Sequence, residues 1–216
     1  MSTTNWAQHE RKAIADEFVE VGPDAPTLCG EWTTRDLAAH LIVRESRPDA
    51  AVGIVIKPLA GWGKRVQDGV ARRPWPQLIK QVRNGPPLLS AFSLPGVDRA
   101  ANTAEYFVHL EDVRRGARDW DGSPRTLDPL FSETLWTMLN SRGALLFRRA
   151  PVGVLLKRSD GRGGQISVHP GSKRVTLVGP AQEILLYAFG RKDQALVRID
   201  GTPQAVDAFA GADLSL

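Results

Sequence analysis

The sequence has very little cysteine: Cys29 is the single thiol among 216 residues. One cysteine excludes an internal disulfide and any metal cluster that is held by cysteines alone. A single thiol is also typical of proteins from a reducing compartment. This scarcity favours a cytoplasmic location.

Long apolar runs are missing as well. No stretch reaches the roughly 18 consecutive apolar residues that suggest a membrane span. The first residues, MSTTNWAQHERKAIADE, are polar and charged, whereas a signal peptide has an apolar centre. The apolar fraction of 42% and the charged fraction of 24% are those of an ordinary soluble globular protein. We expect a monomer or homodimer with no membrane partner.

The sequence also has no long Lys/Arg arm. Its formal net charge is +4 at pH 7, but acidic and basic residues alternate along most of the chain. Nucleic-acid binding requires a one-sided basic face or a basic tail. We therefore expect no nucleic-acid partner.

The first 150 residues have helical patterning, with apolar residues spaced by threes and fours. Two stretches rich in proline and glycine, 22–30 and 85–96, interrupt it as connections. The pattern predicts helices over 5–21, from Thr33 until Pro48, and over 59–72, 75–82, 103–118 and 128–149.

The pattern changes near Pro151, where short aliphatic and β-branched runs alternate with turns. It predicts strands over 153–157, 165–168, 175–178 and 195–199, and helices over 180–189 and 203–209. The run DGRGG at 160–164 is typical of a hairpin turn rather than of a phosphate loop, because no helix begins directly after it. We expect a mainly α protein with a helical domain over 1–150 and a small α+β domain over 151–216.

The predicted second helix has a clear start. Thr33 can cap it while Asp36, three residues later, reaches back to the Thr33 amide as in a capping box. Trp32 and Leu37 occupy the positions of a hydrophobic staple, so both are predicted to pack in the core rather than to contact a cofactor. His40 follows among apolar neighbours, which predicts that it points inward.

The predicted helix at 103–118 carries the chemistry. Its centre is apolar nearly all the way round, which indicates burial. Glu105, His109 and Asp112 nevertheless lie at i, i+4 and i+7 on one face. A buried carboxylate is costly unless it is paired, and a divalent cation held by Glu105 and His109 would pair with it. His40 is the natural third ligand, because His9 lies near the chain start and His169 lies in a turn of the second domain.

Spacing alone leaves a second interpretation open. Acidic residues number 24 of 216, so an acid four positions before a histidine arises often by chance. A surface Glu–His pair beside an ordinary core histidine would give the same pattern.

Two runs carry a family resemblance. CGEWTTRDLAAHL, which ends at Leu41, and EYFVHLEDVRRG, which ends at Gly116, resemble motifs of the DinB-like metal-binding proteins, and most of all their mycothiol-dependent maleylpyruvate isomerase branch. The resemblance implies an up-down four-helix bundle followed by a small α+β domain. It also implies one metal ion, zinc or else nickel, on His40, Glu105 and His109, with Asp112 as a supporting residue.

Two histidines and one carboxylate would leave an open coordination position on the ion. A low-molecular-weight thiol bound there could attack an electrophilic carbon, and the resemblance favours this chemistry, with mycothiol as cosubstrate in S-transfer or isomerisation. Water in the same position would favour a hydrolase, and a site without turnover would make the chain a metal- or ligand-binding protein.

Four arginines flank the predicted ligands. They are candidates for binding substrate carboxylates, above all Arg44 and Arg114, although a solvated helix face is the simpler explanation for each. The other two are Arg47 and Arg115. Cys29 is predicted to be a small packed residue.

Overall fold

The computed structural model describes residues 4–46, 60–85 and 97–214. In these ranges it contains eight helices: α1 (Trp6–Val21), α2 (Thr34–Ser46), α3 (Ala60–Ala71), α4 (Trp75–Asn84), α5 (Val97–Gly116), α6 (Pro129–Leu146), α7 (Ala181–Ala188) and α8 (Pro203–Ala210). It also contains four strands: β1 (Gly153–Arg158), β2 (Gln165–His169), β3 (Arg174–Gly179) and β4 (Arg198–Gly201). No helix in the described ranges is long and apolar enough to cross a membrane.

The chain divides into two compact units, Met1–Asp121 and Gly122–Leu216. The first unit contains α1 to α5, and the second contains α6 and all four strands. The predicted domain boundary at residue 150 differs from this division because α6 packs against α7 and β2. The chain is mainly helical with a small C-terminal sheet, as the sequence indicates.

The helices of the first unit enclose one apolar core. Helix α1 packs along α5 and on α4, while α2 packs on α3 and α4. Fully buried side chains from four of these helices meet there, among them Ile14, Phe18, Leu37, Leu41, Leu78 and Tyr106. The spacing of three and four residues within each helix brings these side chains to one face.

The start of α2 is fixed by Asp36. Its carboxylate accepts hydrogen bonds from the Thr33 amide at 3.0 Å and from the Thr33 hydroxyl at 2.8 Å. The predicted start of this helix is therefore confirmed, although the hydroxyl binds Asp36 instead of a backbone amide. The predicted stop at Pro48 and most of the proline-rich stretch 85–96 lie outside the described residues.

The second unit is built on a mixed sheet in the order β2-β1-β3-β4. Strands β1 and β2 form the predicted antiparallel hairpin, β1 and β3 are parallel, and β3 pairs with β4 antiparallel. The predicted strand over 195–199 was wrong in its bounds, because the strand of the structure begins at Arg198. The Leu196 amide is drawn instead to the buried Glu183 carboxylate at 2.8 Å, which holds this segment next to α7.

Candidate metal centre

Helices α2 and α5 bring the three predicted ligands together. The Glu105 carboxylate oxygen Oε1 lies 3.2 Å from Nε2 of His109 and 3.6 Å from Nε2 of His40. The centroids of the two imidazole rings are 5.4 Å apart, and their planes are inclined by 73°. The three residues thus offer one ligand atom each within 4.8 Å of one another.

These separations fit a divalent ion. In a tetrahedral zinc site with bonds of 2.0–2.1 Å, neighbouring ligand atoms lie about 3.4 Å apart. The two measured distances, 3.2 and 3.6 Å, lie on either side of that value. The donor set also fits, since imidazole nitrogen and carboxylate oxygen are both ordinary zinc and nickel ligands.

Asp112 determines which nitrogen of His109 is available. Its Oδ2 lies 2.8 Å from Nδ1 of His109, and an ionised carboxylate can only accept hydrogen bonds. The proton of a neutral His109 ring therefore belongs on Nδ1, so that Nε2 directs a lone pair at the Glu105 carboxylate. Two acceptors at 3.2 Å repel each other unless a cation, either a proton or a metal ion, lies between them.

The pKa shifts in the cluster have the same origin. Burial alone would lower the pKa of His109, but hydrogen bonds with Asp112, Cys29 and Glu105 outweigh it, and the pKa lies well above its ordinary value. Burial would raise the pKa of Glu105, yet the two histidines and Arg44 hold it well below its usual range. The centre therefore attracts positive charge, and without a metal ion His109 takes up a proton to supply it.

His40 differs from His109 in its surroundings. Burial is the main cause of its lowered pKa, so the ring stays neutral. Its Nδ1 is buried and has no hydrogen-bond partner in the part of the chain that the structure describes. Trp32 packs against the ring with a centroid distance of 5.1 Å. The expectation that Trp32 serves only as staple and core was therefore incomplete, because its indole also contacts a candidate ligand.

Cys29 is part of the cluster, which the sequence did not predict. Its Sγ donates to Oδ2 of Asp112 at 3.1 Å and lies 3.8 Å from Nδ1 of His109. Cys29, His109 and Asp112 therefore form a second group that could hold an ion, but through Nδ1 of His109 instead of Nε2. The group with His40 fits better, because the proton on Nδ1 is already bonded to Asp112. The signal in the sequence was only that Cys29 opens the motif run that ends after His40.

The flanking arginines have different roles. The Arg44 Nε lies 3.4 Å from Oε1 of Glu105, and its Nη1 donates to the Asn102 side chain. Arg114 donates to Glu111 at 3.2 Å, and the buried Arg115 donates to the same carboxylate at 2.6 Å. Arg44 thus contacts the centre through one of its candidate ligands. Arg47 lies outside the described residues.

The other two histidines lie on other elements. His9 is 57% exposed on α1 beside Glu10, and His169 ends β2 in the second unit. Among the described residues, His40 and His109 are the histidines that lie together with Glu105.

Comparison with protein-family models, with curated proteins and with solved structures gives no match for this chain.

Proposed function

We propose that the chain binds one divalent metal ion, zinc in preference to nickel, through His40, Glu105 and His109. The observation that carries this proposal is the 3.2 Å separation between Nε2 of His109 and the Glu105 carboxylate oxygen Oε1. A second imidazole nitrogen, Nε2 of His40, faces the same oxygen at 3.6 Å, so a metal ion could take the place of the proton between His109 and Glu105 and bind all three side chains. Asp112 supports the site by holding the His109 ring in the required tautomer.

We further propose a cytoplasmic enzyme of the DinB-like family, in the mycothiol-dependent maleylpyruvate isomerase branch, that transfers or uses a low-molecular-weight thiol. The support is the two motif runs together with the arrangement of their residues around one point. A divalent ion with one carboxylate ligand keeps a net charge of about +1, which favours the thiolate form of a bound thiol.

The residues around the ion have defined tasks in this proposal. The Arg44 guanidinium keeps the Glu105 carboxylate in place, since Arg44 is itself held by Asn102, and it adds to the effect of the two histidines in keeping that carboxylate ionised. Trp32 covers one side of His40 and limits the access of water there. The Glu105 side chain is 21% exposed, whereas those of His40 and His109 are 9% and 11% exposed. A small thiol would therefore reach the ion from the side of Glu105.

The test begins with metal content. Purified wild-type protein loaded with Co²⁺ is compared with a His109→Ala variant and with a matched His9→Ala control, which removes an exposed histidine instead. We expect one ion per chain in the wild type and the control, and a loss of stoichiometric binding in His109→Ala. Equal cobalt content in all three proteins would contradict the site.

The thiol is tested on the cobalt-loaded protein. Addition of mycothiol is expected to change the visible cobalt bands and to add a sulfur-to-cobalt charge-transfer band in the near ultraviolet. If no thiol alters the spectrum while the ion stays bound, the thiol chemistry is excluded and the metal site stands alone.

One observation favours a second candidate, a metal-binding protein without catalysis. Both imidazole ligands, His40 and His109, are largely buried, and a site with little access to solvent suits a sensor better than an enzyme. A hydrolase would place water where the thiol is proposed. The cobalt spectrum distinguishes the thiol enzyme from the metal-binding protein with a closed site, because such a site has no open position for a thiol.

A further inference from the structure

The two ring nitrogens of His109 face two different sets of side chains. Nε2 lies among the ligands of the candidate centre, whereas Nδ1 lies 2.8 Å from Oδ2 of Asp112 and 3.8 Å from Sγ of Cys29. The Cys29 sulfur is itself 3.1 Å from the same Asp112 oxygen. One sulfur, one nitrogen and one oxygen atom therefore meet next to Nδ1. We call this group of three atoms the sulfur site.

The backbone holds Cys29 at this point. The Thr27 hydroxyl oxygen accepts a hydrogen bond from the Cys29 amide at 3.1 Å, and the hydroxyl donates to the Trp32 carbonyl at 2.8 Å. The Leu28 amide donates to the Asp112 carbonyl at 3.0 Å, so the connection is bonded to the helix that carries the other two side chains. The Cys29 side chain is half-buried, which leaves the sulfur accessible to a dissolved ion.

The separations in the sulfur site suit a metal ion. In a tetrahedral site with a sulfur bond of about 2.3 Å and a nitrogen bond of about 2.1 Å, the two ligand atoms lie roughly 3.6 Å apart. The distance between Sγ of Cys29 and Nδ1 of His109 is 3.8 Å. The two distances to Asp112 are shorter because hydrogen bonds draw the atoms together, and an ion in place of the protons would require the carboxylate to move by roughly half an ångström.

The donor atoms determine which ion each site prefers. The candidate centre offers imidazole nitrogen and carboxylate oxygen, which suit zinc and nickel. The sulfur site replaces one imidazole by a thiolate, and soft ions select thiolate ligands. The two sites therefore differ in the class of cation that they favour, although they share His109.

We propose that Cys29, His109 and Asp112 form a second metal site, which binds a soft cation such as Cd²⁺ and excludes zinc from the candidate centre while it is filled. The ion replaces two protons. The thiol proton is released to water, and the Nδ1 proton of His109 is transferred to Nε2, where the Glu105 oxygen lies 3.2 Å away and accepts it. A neutral imidazole has one lone pair, so the ring can serve either site but not both. The sulfur site does not require the zinc proposal to hold.

The first experiment uses Cys29 as its own probe, because it is the single thiol of the chain. The full chain is treated with a chromogenic disulfide reagent without metal, with one equivalent of Zn²⁺ or with one equivalent of Cd²⁺. We expect cadmium to slow the reaction roughly tenfold or more and to produce a thiolate-to-cadmium charge-transfer band in the ultraviolet. Zinc should leave the rate within about twofold. Absence of the band, or equal protection by zinc, would overturn the proposal.

A variant shows whether the thiol acts alone. His109→Ala keeps Cys29 but removes the nitrogen ligand, so one equivalent of cadmium should no longer protect the thiol. Full protection in this variant would mean that cadmium binds the cysteine without a built site, and the proposal would fail.

Exchange of one ion for the other tests the mutual exclusion. Zinc-loaded protein is mixed with one equivalent of Cd²⁺, freed of unbound ions by gel filtration and analysed for both metals. We expect one cadmium and no zinc per chain. Cys29→Ser, which keeps a hydroxyl near Asp112, should retain zinc and bind cadmium roughly 100-fold more weakly than the wild type. Wild-type chains that hold both ions, or unchanged exchange in Cys29→Ser, would contradict the proposal.

The two metal proposals fail separately. His40→Ala should lose zinc but keep the cadmium charge-transfer band, because His40 is not part of the sulfur site. A wild type that binds no zinc but shows the band would contradict the candidate centre alone. A wild type that binds zinc and shows no band would contradict the sulfur site alone. Both measurements use unaltered protein, so a poorly folded variant does not affect them.

Discussion

At the scale of single residues, the candidate centre depends on His109 having a carboxylate at each ring nitrogen. Asp112 accepts the proton of Nδ1 at 2.8 Å, and Glu105 faces Nε2 at 3.2 Å. The first contact fixes the tautomer and the second provides a ligand beside it. One imidazole is thereby oriented on both sides before any ion arrives.

This arrangement makes Asp112→Asn informative. An asparagine carbonyl can still accept from Nδ1, but it is uncharged and its amide can turn to donate, which would stabilise the wrong tautomer. We expect zinc affinity to fall roughly 10- to 100-fold, as measured by competition with a chromophoric chelator. Asp68→Asn is the control, because Asp68 accepts hydrogen bonds from the exposed Lys64 on the surface of α3. Equal affinities in the two variants would mean that Asp112 does not support the site.

Arg44 shows what a sequence cannot tell about a charged residue. Its position one turn after His40 predicted a group for binding substrate carboxylates. In the structure the guanidinium is 16% exposed and faces Glu105 and Asn102. The helical period predicts that side chains four residues apart share a face, but not whether a neighbouring helix supplies a partner for them.

At the scale of elements, the connection before α2 is held against the end of α5. The Leu28 amide donates to the Asp112 carbonyl at 3.0 Å. A Cβ atom on Gly116 would lie 2.7 Å from the Thr27 Cα and 2.9 Å from the Pro26 carbonyl oxygen, so the two backbones touch. This contact places Cys29 beside the centre.

Gly116→Ala should therefore displace that connection. The neighbours are backbone atoms that cannot swing aside, so we expect a loss of about 1–3 kcal/mol in the free energy of unfolding. The Cys29 thiol should also react faster with a disulfide reagent, since it loses its hydrogen bond to Asp112.

The matched control is Gly69→Ala, a helical glycine on α3 with open space where its Cβ would lie. That substitution should stabilise the protein by up to about 1 kcal/mol and leave thiol reactivity unchanged. If the two variants have the same free energy of unfolding and the same thiol reactivity, the close backbone contact at Gly116 does not hold the connection in place.

The elements were predicted best where one periodic face decides the structure. Helices α1 and α5 cover the expected bounds to within a few residues or extend them, and α2 begins within one residue of its expected start. The helical period of α5 predicts that Glu105, His109 and Asp112 share one face, whereas their assignment as candidate ligands also depends on the family resemblance. Strand β4 was shifted because the Leu196 amide binds Glu183, a side chain 13 residues away. Trp32 and Cys29 were missed at the centre for a similar reason: contacts from a connection have no period.

At the scale of the whole molecule, the chain has two units with different architectures. The helical bundle of the first contains all of the candidate ligands, and the second is organised around a sheet. The sequence predicted both architectures. The sequence pattern placed α6 in the first domain. The pattern of an amphipathic helix indicates which of its faces is buried, but it does not indicate which other element packs on that face. Phe131, Leu135 and Leu139 bury that face in the second unit.

A metal ion should therefore stabilise the molecule unevenly. Binding to the native state at a free concentration 100 times the dissociation constant contributes about 2.7 kcal/mol. Hydrogen exchange with zinc or with a chelator should show slower exchange in peptides from α2 and α5 when zinc is present, and no change in β1 to β4. Equal protection across both units, or none in α2 and α5, would contradict a centre at His40, Glu105 and His109.

The two imidazoles differ in the hydrogen bonding of Nδ1, and this difference affects the rate at which a bound ion would exchange. His109 is anchored by Asp112, whereas Nδ1 of His40 has no partner in the described part of the chain. The His109 ring on α5 would be fixed in its orientation toward a bound ion, whereas the His40 ring on α2 would be free to turn away. The bond between the ion and His40 could therefore break first, because no hydrogen bond of that ring opposes the movement. Such stepwise release lowers the barrier to exchange, and the occupancy of the centre would then follow the supply of metal in its surroundings.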